Sequence, residues 1–136
     1  MKMTVRPPFT EKKAKAKVQM AEDAWNTSNP EKVSQAYSLD SRWRNRDEFF
    51  QGRVEIVAFL TKKWQREQHY KLKKYLWSFT DNRISVRFEY EWQDEETNQW
   101  YRTHGNEHWE FNAEGLMTTR DMSANDIKIK ESERKL

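Results

Sequence analysis

The sequence predicts an α+β domain, with helices in the first half packed on one side of a single antiparallel sheet built by the second half. Three observations carry this. The chain has 136 residues, enough for one domain and one core. Apolar residues at helical spacing occur only before about residue 68. After that point come four long strand-like stretches separated by hairpin-turn residues. One domain is therefore expected over residues 1–136, with 1–9 and 125–136 as loosely ordered tails.

The elements follow in order. Pro7 and Pro8 lead to Thr10, a helix N-cap, after which Ala14, Val18, Ala21 and Trp25 form one narrow apolar stripe. The stripe places Trp25 in the core or as a ligand shelf. The Lys12–Lys17 charge run lies on the opposite face and reads as solvated surface, since no aromatics are interleaved with it. A second short helix starts at Ser28 or Asn29 with Pro30 in its first turn and reaches about Tyr37. Residues 42–46 alternate as a strand. Gly52 then punctuates, and Val54, Val57, Ala58, Leu60 and Trp64 mark a third helix over about 53–68. Strands follow at 70–79, 84–93, 99–111 and 116–123.

Composition bounds the function. Lys and Arg number 25 and Asp and Glu 22, a net charge of +3 that gives no prior for nucleic acid or membrane binding. Thirty-five per cent of residues are charged, but seven Trp, five Tyr and seven Phe supply enough apolar area for a core. The absence of cysteine excludes a disulfide framework, a thiolate nucleophile and a Cys-ligated metal. No apolar run approaches the ~20 residues that span a bilayer, and Lys2 and Arg6 are followed by no apolar leader. The expected location is cytoplasmic.

The stretch from Val86 to Trp92 sorts cleanly by the period-2 rule. A six-residue loop over 94–99 pairs Trp92 with Tyr101, Glu91 with Arg102, Glu89 with His104 and Arg87 with Asn106. A turn over 112–115 pairs Phe111 with Leu116, His108 with Thr119 and Asn106 with Asp121. One face of the sheet then carries Phe88, Tyr90, Trp92, Tyr101, Trp109 and Phe111. The other carries Arg87, Glu89, Arg102, His104, Asn106, His108 and Asp121. Read from the pattern alone, the aromatic face meets the helices and the polar face is solvated.

The run from Tyr37 through Asp40 and Trp43 to Gly52-Arg53-Val54-Glu55-Ile56 resembles the "Tyr…Asp-x-x-Trp…Gly-Arg-x-x-Ile" signature of the nuclear-transport-factor-2-like, or polyketide cyclase-like, superfamily. The resemblance covers about residues 10–123. The stretches 43–49 and 105–111 look like an uncharacterised bacterial branch of it. It implies a cone: a curved sheet wrapped around helices, enclosing a pocket. The superfamily includes isomerases, cyclases, dehydratases, hydrolases and non-catalytic binding modules, so fold leaves function open.

At residue level the chain is similar to limonene-epoxide hydrolase. Trp43-x-Asn45 falls where that family has a Tyr-x-Asn pair, Arg87-x-Glu89 resembles its Arg-x-Asp pair, and Asp121 ends the correspondence. Trp43 lacks the family's hydroxyl, and Glu89 replaces an Asp. The resemblance implies a cofactor-independent site. Asp121 is the base, Asn45 orients a water, Arg87 bridges the carboxylates and Glu89 is the acid. Trp25, Trp43, His104, Asn106 and His108 line the pocket. This carry-over needs the polar face to point inward, which leaves an aromatic convex face and so implies a sheet-to-sheet homodimer.

His104 and His108 would sit about 13 Å apart on a strand at roughly 3.3 Å per residue, too far for one ion, so no metal is expected. Arg42, Arg44 and Arg46 lie opposite Trp43 and Asn45, as solvated or rim ion partners. Two functional classes follow. One is a small enzyme activating water or transferring a proton on a mostly apolar small molecule. The other is a non-catalytic ligand-binding or dimerisation module in which the same groups form a buried structural network.

Overall fold

The computed structural model describes residues 5–136, so residues 1–4 of the expected N-terminal tail lie outside the described residues. Val5 and Phe9 are buried, and the Phe9 ring meets Phe111 edge-on at 5.1 Å. Helix α1 (Glu11–Trp25) starts where Thr10 accepts the Lys13 N–H at 3.2 Å. Helix α2 (Pro30–Ser34) starts at Asn29, which accepts the Lys32 N–H at 3.1 Å. It ends three residues before Tyr37, because the Ala36 carbonyl accepts the Met117 N–H at 2.9 Å and draws this segment into the sheet.

Strand β1 (Tyr37–Asn45) is thus longer than the alternation at 42–46 suggested, and it hairpins through Arg46 at φ +58° into β2 (Glu48–Gln51). That short edge strand leaves Phe49 exposed and gave no periodic signal. Gly52, at φ +92°, turns the chain into α3 (Arg53–Arg66). The remaining strands are β3 (Glu67–Phe79), β4 (Arg83–Asp94), β5 (Trp100–Phe111) and β6 (Met117–Ile129). They form one curled sheet in the order β2-β1-β6-β5-β4-β3, and β1–β6 is the parallel pair. No helix among the described residues is long and apolar enough to cross a membrane.

The β4–β5 register is the expected one, with Trp92 opposite Tyr101 and Arg87 opposite Asn106. Between β5 and β6 the pairing is displaced by two residues, so that His108 faces Asp121 and Asn106 faces Ser123. A displacement of two keeps every side chain on its original face.

Which face turns inward differs from the polar-inward expectation. Phe88, Tyr90, Trp92, Trp109 and Phe111 are buried in one core with Ala14, Val18 and Trp25 of α1 and Ile56 and Leu60 of α3. Arg87, His104, Asn106 and His108 are exposed on the convex face. The helix stripes are apolar, and covering them with aromatic rings removes more apolar surface from water than covering them with charge. The aromatic convex face on which the sheet-to-sheet homodimer rested is therefore absent.

Beyond the expected end at Ser123, β6 continues to Ile129 and a 3-10 turn (Glu131–Glu133) follows. The last residues fold over the convex side, where the Lys135 and Leu136 N–H groups reach Glu91 at 2.9–3.2 Å. Glu91, also held by Arg102 at 2.7 Å, is only 1% exposed there.

One position fixes the shape of the concave floor. A Cβ at Gly105 would lie 2.8 Å from Phe88 Cε2 and 2.7 Å from the Ser123 carbonyl, so the Phe88 ring occupies space that only glycine leaves free. Gly105→Ala is expected to destabilise the fold by about 1–3 kcal/mol, and Phe88→Leu in the same chain to recover part of that. Urea denaturation of the single and double variants measures both, and an additive loss would detach Phe88 from the effect.

Candidate functional site

Three charged side chains interrupt the apolar face of the sheet, each on a different strand. Lys74 shares the inner parity of β3 with Leu72 and Leu76. Glu107 lies between Gly105 and Trp109 on β5, and Arg120 two residues before Met122 on β6. All three are buried, with side chains 3%, 1% and 2% exposed. Lys74 Nζ meets Glu107 Oε2 in a short ion pair, and Arg120 Nε donates to Glu107 Oε1 at 2.7 Å. Arg120 Nη1 donates to Asn45 Oδ1 at 2.9 Å, which ties the cluster to the end of β1.

Aromatic rings wall the cluster. Lys74 Nζ lies 4.9 Å from the Phe88 ring and 5.5 Å from those of Trp25 and Trp109. The Arg120 guanidinium lies 4.9 Å from Trp25 and 4.3 Å from Trp43, and these two indoles are stacked. A small cavity of about 10 Å³ opens among Trp25, Asn45, Lys74, Phe88, Arg120 and Met122. That is room for about one water molecule. Lys63 of α3 borders the same cavity, donating to Glu67 Oε1 at 2.8 Å and to the Tyr90 hydroxyl at 3.2 Å.

Charge and burial set the protonation states. Burial opposes ionisation of Glu107, but Lys74 and Arg120 outweigh it and hold its carboxyl at about 2, below the ordinary 4.5. Lys74 is lowered, first by burial and then by Arg120, despite the attraction of Glu107. Burial also lowers Lys63, but Glu67 and Tyr90 more than offset it, and its net shift is upward. Tyr70, raised chiefly by burial, stays a neutral phenol. Among the described residues no three His, Asp or Glu side chains converge as metal ligands.

The structure brings only part of the sequence-derived site together. Asn45, Trp25 and Trp43 belong to the concave cluster. Arg87, Glu89 and Asp121 do not reach Asn45, because their strand parity points them to the convex face. Asp121 receives Arg44 Nε at 2.8 Å, which gives that arginine its ion partner. Arg46 likewise pairs with Asp126 at 2.7 Å. Glu89 lies 3.7 Å from His104 and 3.4 Å from Lys135. His108 Nδ1 is 2.9 Å from the Ser85 hydroxyl. Arg87, Glu89, His104 and Asn106 line an open groove of about 640 Å³ on that outer face.

Sequence reasoning missed Lys74, Glu107 and Arg120. The signal was present, since each is a charged residue in the apolar parity of its strand, and two of the three neighbour residues that were assigned to the site. Glu107 stands between Asn106 and His108, and Arg120 precedes Asp121.

Two variants separate the faces. Glu107→Gln leaves two buried cations without their counter-charge and is expected to cost roughly 3–5 kcal/mol in urea denaturation. The depressed carboxyl contributes stability that is complete above pH 4.5 and disappears as pH falls toward 2. Acid titration should therefore destabilise the wild type across that window more than the variant; equal stability of the two proteins would remove Glu107 from this role. Asp121→Asn, whose side chain is 48% exposed, is expected to cost less than about 1 kcal/mol. A loss on the Glu107 scale would contradict the placement.

The chain's fold has many relatives among solved structures. It is similar to the epoxide hydrolase/cyclase-like enzyme SalBIII, described with a role in pyran ring formation in the polyether salinomycin. The TM-score is 0.74 and the identity 11%, over 85% of this chain and 92% of that one. An NTF2-like protein of unknown function from Burkholderia pseudomallei has a TM-score of 0.73 and 17% identity, over 82% and 90% of the two chains. A protein with a ketosteroid isomerase-like fold from Catenulispora acidiphila, in complex with trimethylamine, has a TM-score of 0.67 and 12% identity, over 78% and 83%. At such identities the likeness shows the fold, which is NTF2-like. No curated protein matches the sequence. A family model described as "Protein of unknown function (DUF1348)" matches residues 7–136, and the chain belongs to that family.

Proposed function

We propose that the chain binds a small, mostly apolar molecule in the concave chamber and stabilises negative charge on it, with Lys74 as the proton-transfer group. One observation carries the reading: Glu107 fixes two cations on the wall of an aromatic chamber, where low dielectric strengthens their effect on a bound oxygen. Fold neighbours that include an epoxide hydrolase/cyclase-like enzyme are in keeping with chemistry at this place. Glu107 is held ionised by its partners and is not the acid. Lys74, its proton affinity lowered by burial, is the group with a proton to exchange.

The reaction class this favours is proton transfer next to a carbonyl. Lys74, an ammonium beside Glu107 at rest, first gives its proton to solvent. As the amine it takes the α-proton, the C–H pair becomes the C=C bond, the C=O π pair moves to the oxygen, and Arg120 holds the resulting enolate. Returning the proton reverses the step. Water activation needs a free carboxylate beside Asn45, and the one that shares Arg120 with it is already engaged by both cations.

Deuterium incorporation into phenylacetone and related enolisable ketones in D2O, followed by NMR, tests this. The wild type should exceed buffer, and Lys74→Met, which leaves the Glu107–Arg120 pair in place, should fall at least about 100-fold. A wild type no faster than buffer across the panel overturns the enzymatic reading. The small cavity favours a second reading, in which the cluster is a sealed structural network. In that case Lys74→Met lowers the melting temperature and no ligand changes the tryptophan fluorescence.

A further inference from the structure

We infer that the ligand of the chamber is a small monoanion, a carboxylate on a flat apolar body, its oxygens received by Arg120 and Lys74. The inference rests on the chamber being the binding site and adds the charge of what enters it.

Charge is the first ground. The cations bordering the cavity are Lys63, Lys74 and Arg120, and the carboxylates paired with them are Glu107 and Glu67. Three positive charges stand against two negative ones. The other groups facing the cluster do not correct this. Tyr70 and Tyr90 are phenols. Glu22 accepts the Lys74 backbone N–H at 2.8 Å and has Lys73 at 3.9 Å, so that pair is self-neutral. Arg46 and Asp126 form another neutral pair. One buried positive charge is left without a counter-ion, which a single carboxylate would supply.

Donors are the second ground. Of the five N–H groups of Arg120, the bonds among the described residues use Nε and Nη1, leaving Nη2 free to donate. Arg120 lines the cavity, so this donor stands beside the positive charge, and the oxygen of an anion answers both.

Size and shape set the rest. A cavity of about 10 Å³ takes a carboxylate oxygen in the space of a water, and an attached ring needs the lining side chains to shift. This favours one charge and few atoms, and disfavours a phosphate ester.

The test is titration of the full-length protein with sodium benzoate and with benzamide, its neutral isostere, at constant ionic strength. Tryptophan fluorescence and calorimetry are the readouts. Benzoate should bind at least 10-fold more tightly than benzamide. Arg120→Met, which keeps the Lys74–Glu107 pair, should abolish the preference, and Lys74→Met serves if that variant does not fold. Arg87→Gln in the outer groove should leave the preference intact. Equal affinity for the two compounds overturns the anion assignment while leaving the chamber as the site. Binding that is unchanged in both chamber variants, or no binding of either compound, fails the chamber reading itself. Loss of the preference in Arg87→Gln moves the site to the outer groove and overturns both.

Discussion

The structure depends on one carboxylate. Glu107 is held between Lys74 and Arg120 in a core that is otherwise aromatic and aliphatic, and each of the three would be costly to bury alone. Attraction between buried charges barely repays their desolvation, so such a cluster is weak as a device for stability. An apolar trio of the same volume would serve the core at least as well. The cluster makes more sense as something the fold accommodates at a cost, and the accommodation is visible in the neighbouring residues.

The sheet's curl and its residue choices converge on this point. Lys74 stands on β3 and Glu107 on β5, so the lysine must reach across β4, where Phe88 lies opposite it. Gly105 gives the Phe88 ring its place by having no side chain of its own. The long stem of Lys74 then runs among rings that carry negative charge on their faces, and these stabilise its ammonium as well as a hydrocarbon wall could not. Trp25 from α1 and Trp43 from β1 enclose Arg120 in the same manner. Helix α1 thus contributes an indole that contacts both cations, which is why its apolar stripe ends in tryptophan at Trp25.

Much of this was legible in the residues. Helical spacing located α1 and α3, turn chemistry located the hairpins, and the six-residue loop fixed the β4–β5 register pair by pair. The residues that share each face were also correct, because the two-residue displacement between β5 and β6 preserves parity. What the sequence could not supply was the sign of the face. Parity divides a strand into two sets without saying which set meets the helices. The apolar stripes of α1 and α3 did say so, and the carry-over from limonene-epoxide hydrolase overrode them. Strand β2 was illegible for another reason: Glu48–Gln51 is four residues long and exposed at the edge, with no buried set to produce a pattern. The early end of α2 reflects pairing of Tyr37 with Met117, a partner eighty residues away.

The misplaced carry-over is informative about the chemistry. It led to the right strand for Asn45 and Arg120's neighbour Asp121, yet to the wrong face for the acid–base pair. A site assembled from Arg87, Glu89 and Asp121 has two carboxylates and one cation, a composition suited to activating a water and protonating a leaving oxygen. The chamber inverts that ratio, with Lys74 and Arg120 set against Glu107, and adds Lys63 with Glu67 at its border. A surplus of carboxylate makes a base available. A surplus of cation makes negative charge welcome. The fold is shared with an epoxide hydrolase/cyclase-like enzyme at 11% identity, a likeness of fold alone, so the polarity of the chamber is set by this chain's own side chains. Charge stabilisation of the kind proposed belongs to the side chains of this chain, and the fold contributes the enclosure that keeps water from screening them.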